Sequence, residues 1–143
     1  MKSNKNIVSI GLPVYNGEKF LEKRIENILN QTYENLELII SNNHSNDQTD
    51  KICRKYEKKD IRVKYYFQEK QISITKNFGF VLEKSTGKYF AWASVDDILE
   101  LTFIEKNLEI LEQNEKIVGS SGQVQSYGGR TNFLKQDNPF QFS

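Results

Sequence analysis

A mainly parallel, open α/β sheet with helices on both faces is the architecture this sequence predicts. Strand-like and helix-like segments alternate along the chain. The second strand-like run is apolar enough to be covered on both sides, and each helix-like run carries a single apolar face. Residues 7–13 read as the first strand, stopped by Pro13, which cannot donate to a ladder. Residues 17–30 read as a helix with Phe20, Leu21, Ile25, Ile28 and Leu29 on one face and Lys19, Glu22, Lys23 and Glu26 on the other. Residues 36–42 form the second strand. Residues 43–47 are turn chemistry, and Ser45 or Asp47 can cap a helix over 48–58 whose apolar side is Ile52, Cys53 and Tyr56.

A third strand follows over 63–68, then a helix over 73–85 expected to turn Ile74, Phe78, Val81 and Leu82 inward. After a turn at 86–88, residues 89–95 read as a fourth strand, with Trp92 in the core or, at an edge position, presented to a sugar. A helix over 102–113 carries Ile104, Leu108 and Leu111, and a last strand is expected over 117–127. From Gly128 the pattern dissolves, so residues 1–127 are assigned to one domain and 128–143 to an irregular tail.

Composition excludes several classes. At 143 residues the chain suits one domain, and 37% apolar against 27% charged residues excludes a disordered chain. The net charge of +1, with 16 Lys and only 4 Arg, gives no field or guanidinium surface for nucleic acid. Apolar runs reach about five residues where a membrane span needs roughly 20, so no transmembrane segment is expected. The first residues run into a strand without a signal-peptide core, and the lone Cys53 can form neither an internal disulfide nor a cysteine zinc cage. The expectation is a reduced, soluble, cytoplasmic domain.

Ligands of open α/β sheets bind beyond the carboxyl ends of the strands, which selects the loops at 14–17, 42–47, 68–71 and 96–97. Asp96-Asp97 is the most informative pair. Adjacent carboxylates repel unless a cation or donors balance them, and a hard divalent ion does so with help from phosphates and water. The same pair also suits a solvated turn or a helix N-cap. The run Asn42 to Asp47 offers amides able to pair with a base edge, or an Asx-rich turn into a capped helix. Tyr15 suits either stacking on a base or filling the sheet edge. No Gly-x-Gly-x-x-Gly follows the first strand and no P-loop is present. A single His44 and a single Cys53 give little material for a nucleophilic relay. A receiver-like domain would want an acidic nucleophile and a phosphate loop, which residues 13–16 do not supply.

Residues 8–17 (Val-Ser-Ile-Gly-Leu-Pro-Val-Tyr-Asn-Gly), 28–33 (Ile-Leu-Asn-Gln-Thr-Tyr), 36–47 and 86–97 together resemble the amino-terminal half of a family 2 glycosyltransferase of the Rossmann-like GT-A fold. The resemblance runs from about residue 7 to residue 99 in order and spacing. It implies that Pro13 and Tyr15 flank the base and ribose of a donor nucleotide and that Asn43 pairs with the base. It places Asp96 and Asp97 at the ribose and the divalent metal, Mg2+ or Mn2+, with Asp97 favoured for direct ligation. It matches Lys76, before Asn77, to a basic residue of the third helix. Asn42 and Asn43 depart from the family in standing where two acids are common, and Ser94 stands where the metal motif often begins with Asp.

The implied activity is transfer of a sugar, with inversion, from a nucleoside-diphosphate sugar (a UDP-sugar favoured) to a glycan or lipid-linked acceptor. That chemistry belongs to polysaccharide biosynthesis and is compatible with a peripheral place on a membrane. The alternative is a catalytically inactive or partial remnant serving as a nucleotide-binding or interaction module. The family's domain usually continues beyond this length, with the acceptor site and general base there, so no base is assigned in this chain. A sheet left uncovered by such a missing half would favour a homodimer.

Overall fold

The computed structural model describes residues 6–122. Its sheet consists of β1 (Val8–Val14), β2 (Leu36–Asn42), β3 (Val63–Phe67) and β4 (Tyr89–Trp92). All pairings are parallel and the order is β3-β2-β1-β4. The helices are α1 (Leu21–Leu29), α2 (Thr49–Lys59), α3 (Ile74–Glu83) and α4 (Phe103–Gln113). Right-handed crossovers from β1 to β2 to β3 step in one direction and place α1 and α2 on one face. The return from β3 to β4 steps the other way and places α3 on the opposite face. The packing agrees, since α1 touches α2, α2 lies on β2 and β3, and α3 lies on β1 and β2. Every residue of β2 is buried, as a strand covered on both faces requires. The described residues fall into two compact units dividing between Thr102 and Phe103, the second containing α4 with Ile104 and Leu108 buried. No helix among the described residues is long and apolar enough to cross a membrane.

Close approach of α3 to the sheet depends on Gly11. A Cβ there would stand 2.7 Å from Phe90 Cζ and 2.7 Å from Val81 Cγ2, so β1 can pass beneath both only as glycine. Near the amino ends of the strands, Glu37 is buried beneath a set of donors. Its carboxylate accepts from Ser9 Oγ (2.5 Å), Lys64 Nζ (2.5 Å), Thr86 N (2.6 Å) and Thr86 Oγ1 (2.9 Å), while Gly87 N donates to Ser9 Oγ (2.8 Å). This network ties the turn before β4 to β1, β2 and β3.

Five sequence expectations are corrected. The first strand is not stopped by Pro13, because Pro13 keeps its register with Ser41 and Val14 with Asn42, so β1 pairs on to Val14. The fourth strand ends at Trp92 and not at residue 95, because after the Ala93 N–H bonds Gly11 O (2.8 Å) the Ser94 hydroxyl bonds Asp96 and the chain leaves the ladder. Residues 117–122 are not a strand. Asn114 ends α4 with a turn, accepting from Lys116 N on its side chain and from Ile117 N on its carbonyl (both 2.9 Å). Residues 123–127 and the tail 128–143 lie outside the described residues. On α3 only Val81 of the expected apolar set is buried, and Ile74 (76%), Phe78 (38%) and Leu82 (43%) are exposed. The face toward the sheet is set by Asn77, and one residue's step of about 100° carries Phe78 and Leu82 to the flank. Trp92 is 52% exposed on edge strand β4, its indole N–H donating to Phe78 O (3.2 Å). Cys53 and Tyr56 of α2 and Leu21, Ile25 and Ile28 of α1 are buried as the apolar periodicity requires.

Burial works to raise the Glu37 pKa, but the bonds from Lys64, Ser9 and Thr86 outweigh it and hold the carboxyl at about 2. A depressed folded-state pKa contributes stability above the unfolded value of 4.5 and loses it as pH falls toward 2. Urea unfolding of Glu37→Gln is therefore expected to show a deficit of about 3 kcal/mol at pH 7 that narrows steadily between about pH 5 and pH 2. A deficit independent of pH over that window would contradict the network.

Candidate functional site

The carboxyl ends of the strands carry the expected loops, and hydrogen bonds join those after β1, β2 and β3 to one another. Val14 and Asn42 are register partners, so Tyr15 and Asn43 leave adjacent strands side by side, and Asn43 N donates to Val14 O (2.8 Å). The loops after β1 and β2 are then stitched residue by residue. Asn16 N donates to Ser45 Oγ (2.8 Å) and Asn46 N to Asn16 Oδ1 (3.0 Å). Gly17 N donates to Thr49 Oγ1 (2.9 Å), Glu18 N to Asp47 Oδ2 (3.1 Å) and Gln48 N to Glu18 Oε2 (2.9 Å). Asn16 and His44 take the left-handed conformation (φ 49° and 59°), which Asn and His adopt more readily than most residues. Burial works to raise the Asp47 pKa, but bonds from Thr49 and Glu18 outweigh it and keep the carboxyl below its ordinary value.

Asn43 is 4% exposed, and its amide is bonded at both ends to one backbone unit. Nδ2 donates to Ile72 O and Oδ1 accepts from Ile72 N, both at 2.8 Å. Asn43 thus fixes the loop between β3 and α3, while its neighbour Asn42 donates to Tyr65 Oη (2.9 Å) and accepts from Ser45 N (3.0 Å). Across the sheet, Ser41 Oγ donates to Asn77 Oδ1 (2.6 Å), and Asn77 Nδ2 donates to Ser41 O (3.1 Å). Pro13 is half-buried at the end of β1, Tyr15 is 48% exposed, and Lys76 is exposed in the first turn of α3.

The Asp96-Asp97 loop lies against the first of these loops. A Cβ on Gly17 would come within 3.1 Å of Val95 Cγ2, which places residue 95 beside the start of α1. Both aspartates are exposed. The Ser94 hydroxyl donates to Asp96 Oδ1 and holds that carboxyl below the usual carboxylate range, with a smaller pull from Arg24. Beyond the pair, α1 grips the chain. Asn27 Nδ2 donates to Leu99 O (2.8 Å) and Asn27 Oδ1 accepts from Leu99 N (2.9 Å). Gln31 Nε2 donates to Glu100 O and Thr32 N to Leu101 O, both at 2.9 Å. Arg24 is buried at 2% exposure one turn before Asn27, to whose Oδ1 its Nη1 donates (2.9 Å).

Among the described residues no group of three or more His, Cys, Asp and Glu side chains is placed to hold a metal ion. The pair nevertheless suits a hard divalent ion completed by phosphate and water. Its donors are carboxylate oxygens, Asp96 is held ionised, and only Asp96 Oδ1 is engaged by a neighbouring hydroxyl. Asp96 and Asp97 stand exposed beyond β4, as the sequence placed them, while Arg24, Asn27 and Gln31, which hold the chain beyond the pair, escaped sequence reasoning because polar residues there read as a solvated face.

The open parallel sheet changes its strand order between β1 and β4, the place where α/β sheets of this class form a crevice beyond the carboxyl ends of their strands. The profile of the family described as Glycosyl transferase family 2 matches residues 9–142, and the chain belongs to that family. A Haemophilus influenzae relative described as an uncharacterized glycosyltransferase is 34% identical over 122 residues, 85% of this chain and 38% of the relative. Glycosyltransferase GlyA of Streptococcus pneumoniae is 33% identical over 99 residues, 68% of this chain and 14% of that protein. The chain therefore spans less than half the length of either relative. Among solved structures, S. aureus TarS 1–349 in complex with UDP-GlcNAc superposes with a TM-score of 0.70 at 21% identity, covering 76% of this chain and 32% of that one. The mannosyltransferase PcManGT from Pyrobaculum calidifontis, in complex with GDP-Man and Mn2+, gives 0.61 at 19% identity, covering 67% and 29%. The fold is that of the GT-A glycosyltransferases.

Replacing Asn27 with Ala leaves the Leu99 N–H and C=O without their partner. The expected loss is about 1–3 kcal/mol of stability, read by urea unfolding. An unfolding curve indistinguishable from wild type would show that the clamp is dispensable.

Proposed function

We propose that this rim binds the nucleoside diphosphate of a sugar donor, a UDP-sugar favoured, as the donor-binding part of an inverting glycosyltransferase. The single observation carrying this reading is the Asp96-Asp97 pair, held beside the stitched loops at the carboxyl edge of a family 2 fold. The complexes of TarS with UDP-GlcNAc and of PcManGT with GDP-Man and Mn2+ support the class of ligand.

In this reading Tyr15 presents its exposed ring to the base, with Pro13 setting the path of the backbone beneath it. Asn43 shapes the base pocket by fixing Ile72 and keeps one N–H and one lone pair of its amide beyond that clasp. Lys76 offers a cation from the first turn of α3 to the donor's phosphates. Asp97 and Asp96 would hold Mg2+ or Mn2+, which would supply positive charge against the departing diphosphate. The Ser94 hydroxyl orients the Asp96 carboxylate and holds its pKa below the ordinary value. The acceptor, a glycan or a lipid-linked sugar, loses a hydroxyl proton to a base that is not assigned to this chain. Its oxygen attacks the anomeric carbon from the face opposite the diphosphate, which inverts that centre.

Calorimetric titration of UDP with and without Mn2+ tests the assignment. Asp97→Ala is expected to weaken Mn2+-dependent UDP binding at least about tenfold, a loss of about 1.4 kcal/mol, with the melting temperature unchanged. Equal binding by wild type and variant would reject it.

A further inference from the structure

Arg24 is the one strongly buried charge that the reading above leaves without a role. It heads the largest side chains shut away from solvent, and its Nε has no hydrogen-bond partner. Its Nη1 bonds only a neutral amide, Asn27 Oδ1, and it forms no ion pair among the described residues. A buried charge without a direct partner is costly, and nothing in the apolar packing of α1 calls for one. Its surroundings indicate what it serves. Asn27, which it bonds, holds Leu99 on both sides, and Leu99 stands two residues beyond Asp97. Asp97 first and then Asp96 act on the guanidinium through space, opposing the effect of its burial.

We propose that Arg24 is the resident counter-ion of the Asp96-Asp97 pair, a fixed positive charge that balances the carboxylates in the donor-free chain and makes divalent-cation binding depend on a diphosphate. The inference rests on the assignment of Asp96 and Asp97 to the metal. Two carboxylates and one guanidinium leave the cluster a single negative charge, a weak site for a divalent ion alone. A nucleoside diphosphate brings the further negative charge, so cation and donor bind as a unit. Arg24 acts here by charge, while its bond to Asn27 holds it in place. Removing the charge and keeping the volume should therefore strengthen cation binding where no nucleotide is present.

The test is titration of Mn2+ into the full chain, followed by loss of the free-ion electron paramagnetic resonance signal, with and without UDP. Arg24→Met is expected to bind Mn2+ alone about tenfold more tightly than wild type, with a smaller gain on adding UDP. Arg24→Lys, which keeps the charge, is expected to behave as wild type. Arg24→Gln, neutral and able to hydrogen-bond Asn27, takes the place of the Met variant if circular dichroism shows that variant unfolded. Unchanged or weakened Mn2+ binding in the folded neutral variant overturns the proposal, as does equal tightening in Arg24→Lys. Asp97→Asn separates the two assignments. If it binds Mn2+ as wild type does, the metal site itself is misplaced. If it loses Mn2+ while the neutral Arg24 variant matches wild type, the counter-ion role alone fails.

Discussion

Side-chain amides bonded to backbone on both their donor and acceptor sides hold the carboxyl rim of this sheet together. Loop backbone at the end of a covered sheet has polar groups that neither ladder nor helix satisfies. An amide can meet an N–H and a C=O of the same residue at once, which a carboxylate cannot. Asn43 does so at Ile72 and Asn27 at Leu99, while Asn77 exchanges two bonds with Ser41. These clasps hold the loop after β3 and the start of α3 to the end of β2, and the loop after β4 to α1. The loops after β1 and β2 hold one another.

That constraint suits the amides at 42 and 43, where the family resemblance leads one to expect acids. An aspartate at 43 could accept from Ile72 N but would set its charge against Ile72 O. At 42 the amide donates to Tyr65 Oη, whose hydroxyl donates onward to Asp50 (2.6 Å), so an acid there would face an oxygen already committed as donor elsewhere. Elsewhere on the rim, the charges of Asp97 and Asp96 oppose the effect of burial on Arg24. The opposite end of the sheet is organised by charge instead, with Glu37 gathering Ser9, Lys64 and Thr86.

Much of the fold was legible in the sequence because it rests on periodicity. The apolar run of β2 and the one-sided helices α1 and α2 follow from which residues can be buried. What escaped is set by tertiary contacts. The orientation of α3 follows from one polar anchor, Asn77, and from the absence of a side chain at Gly11. Residues 117–122 are rich in β-branched and small residues, but the turn at Asn114 redirects them. Asp96 and Asp97 could be found by position after a strand. Arg24 could not, since an arginine set among Glu22, Lys23 and Glu26 on a helix reads as a solvated side chain until burial is seen.

The proposed reading puts the nucleotide at the rim near β1 and β4 of this family 2 chain. Amide hydrogen exchange of the chain with and without UDP and Mn2+ tests that location most directly. Slowed exchange at residues 15–18, 43–48 and 94–99 is the predicted result. Protection confined to the turn at 84–88, at the far end of the sheet, or to the crevice lined by Leu29, Glu34 and Arg62 would contradict it.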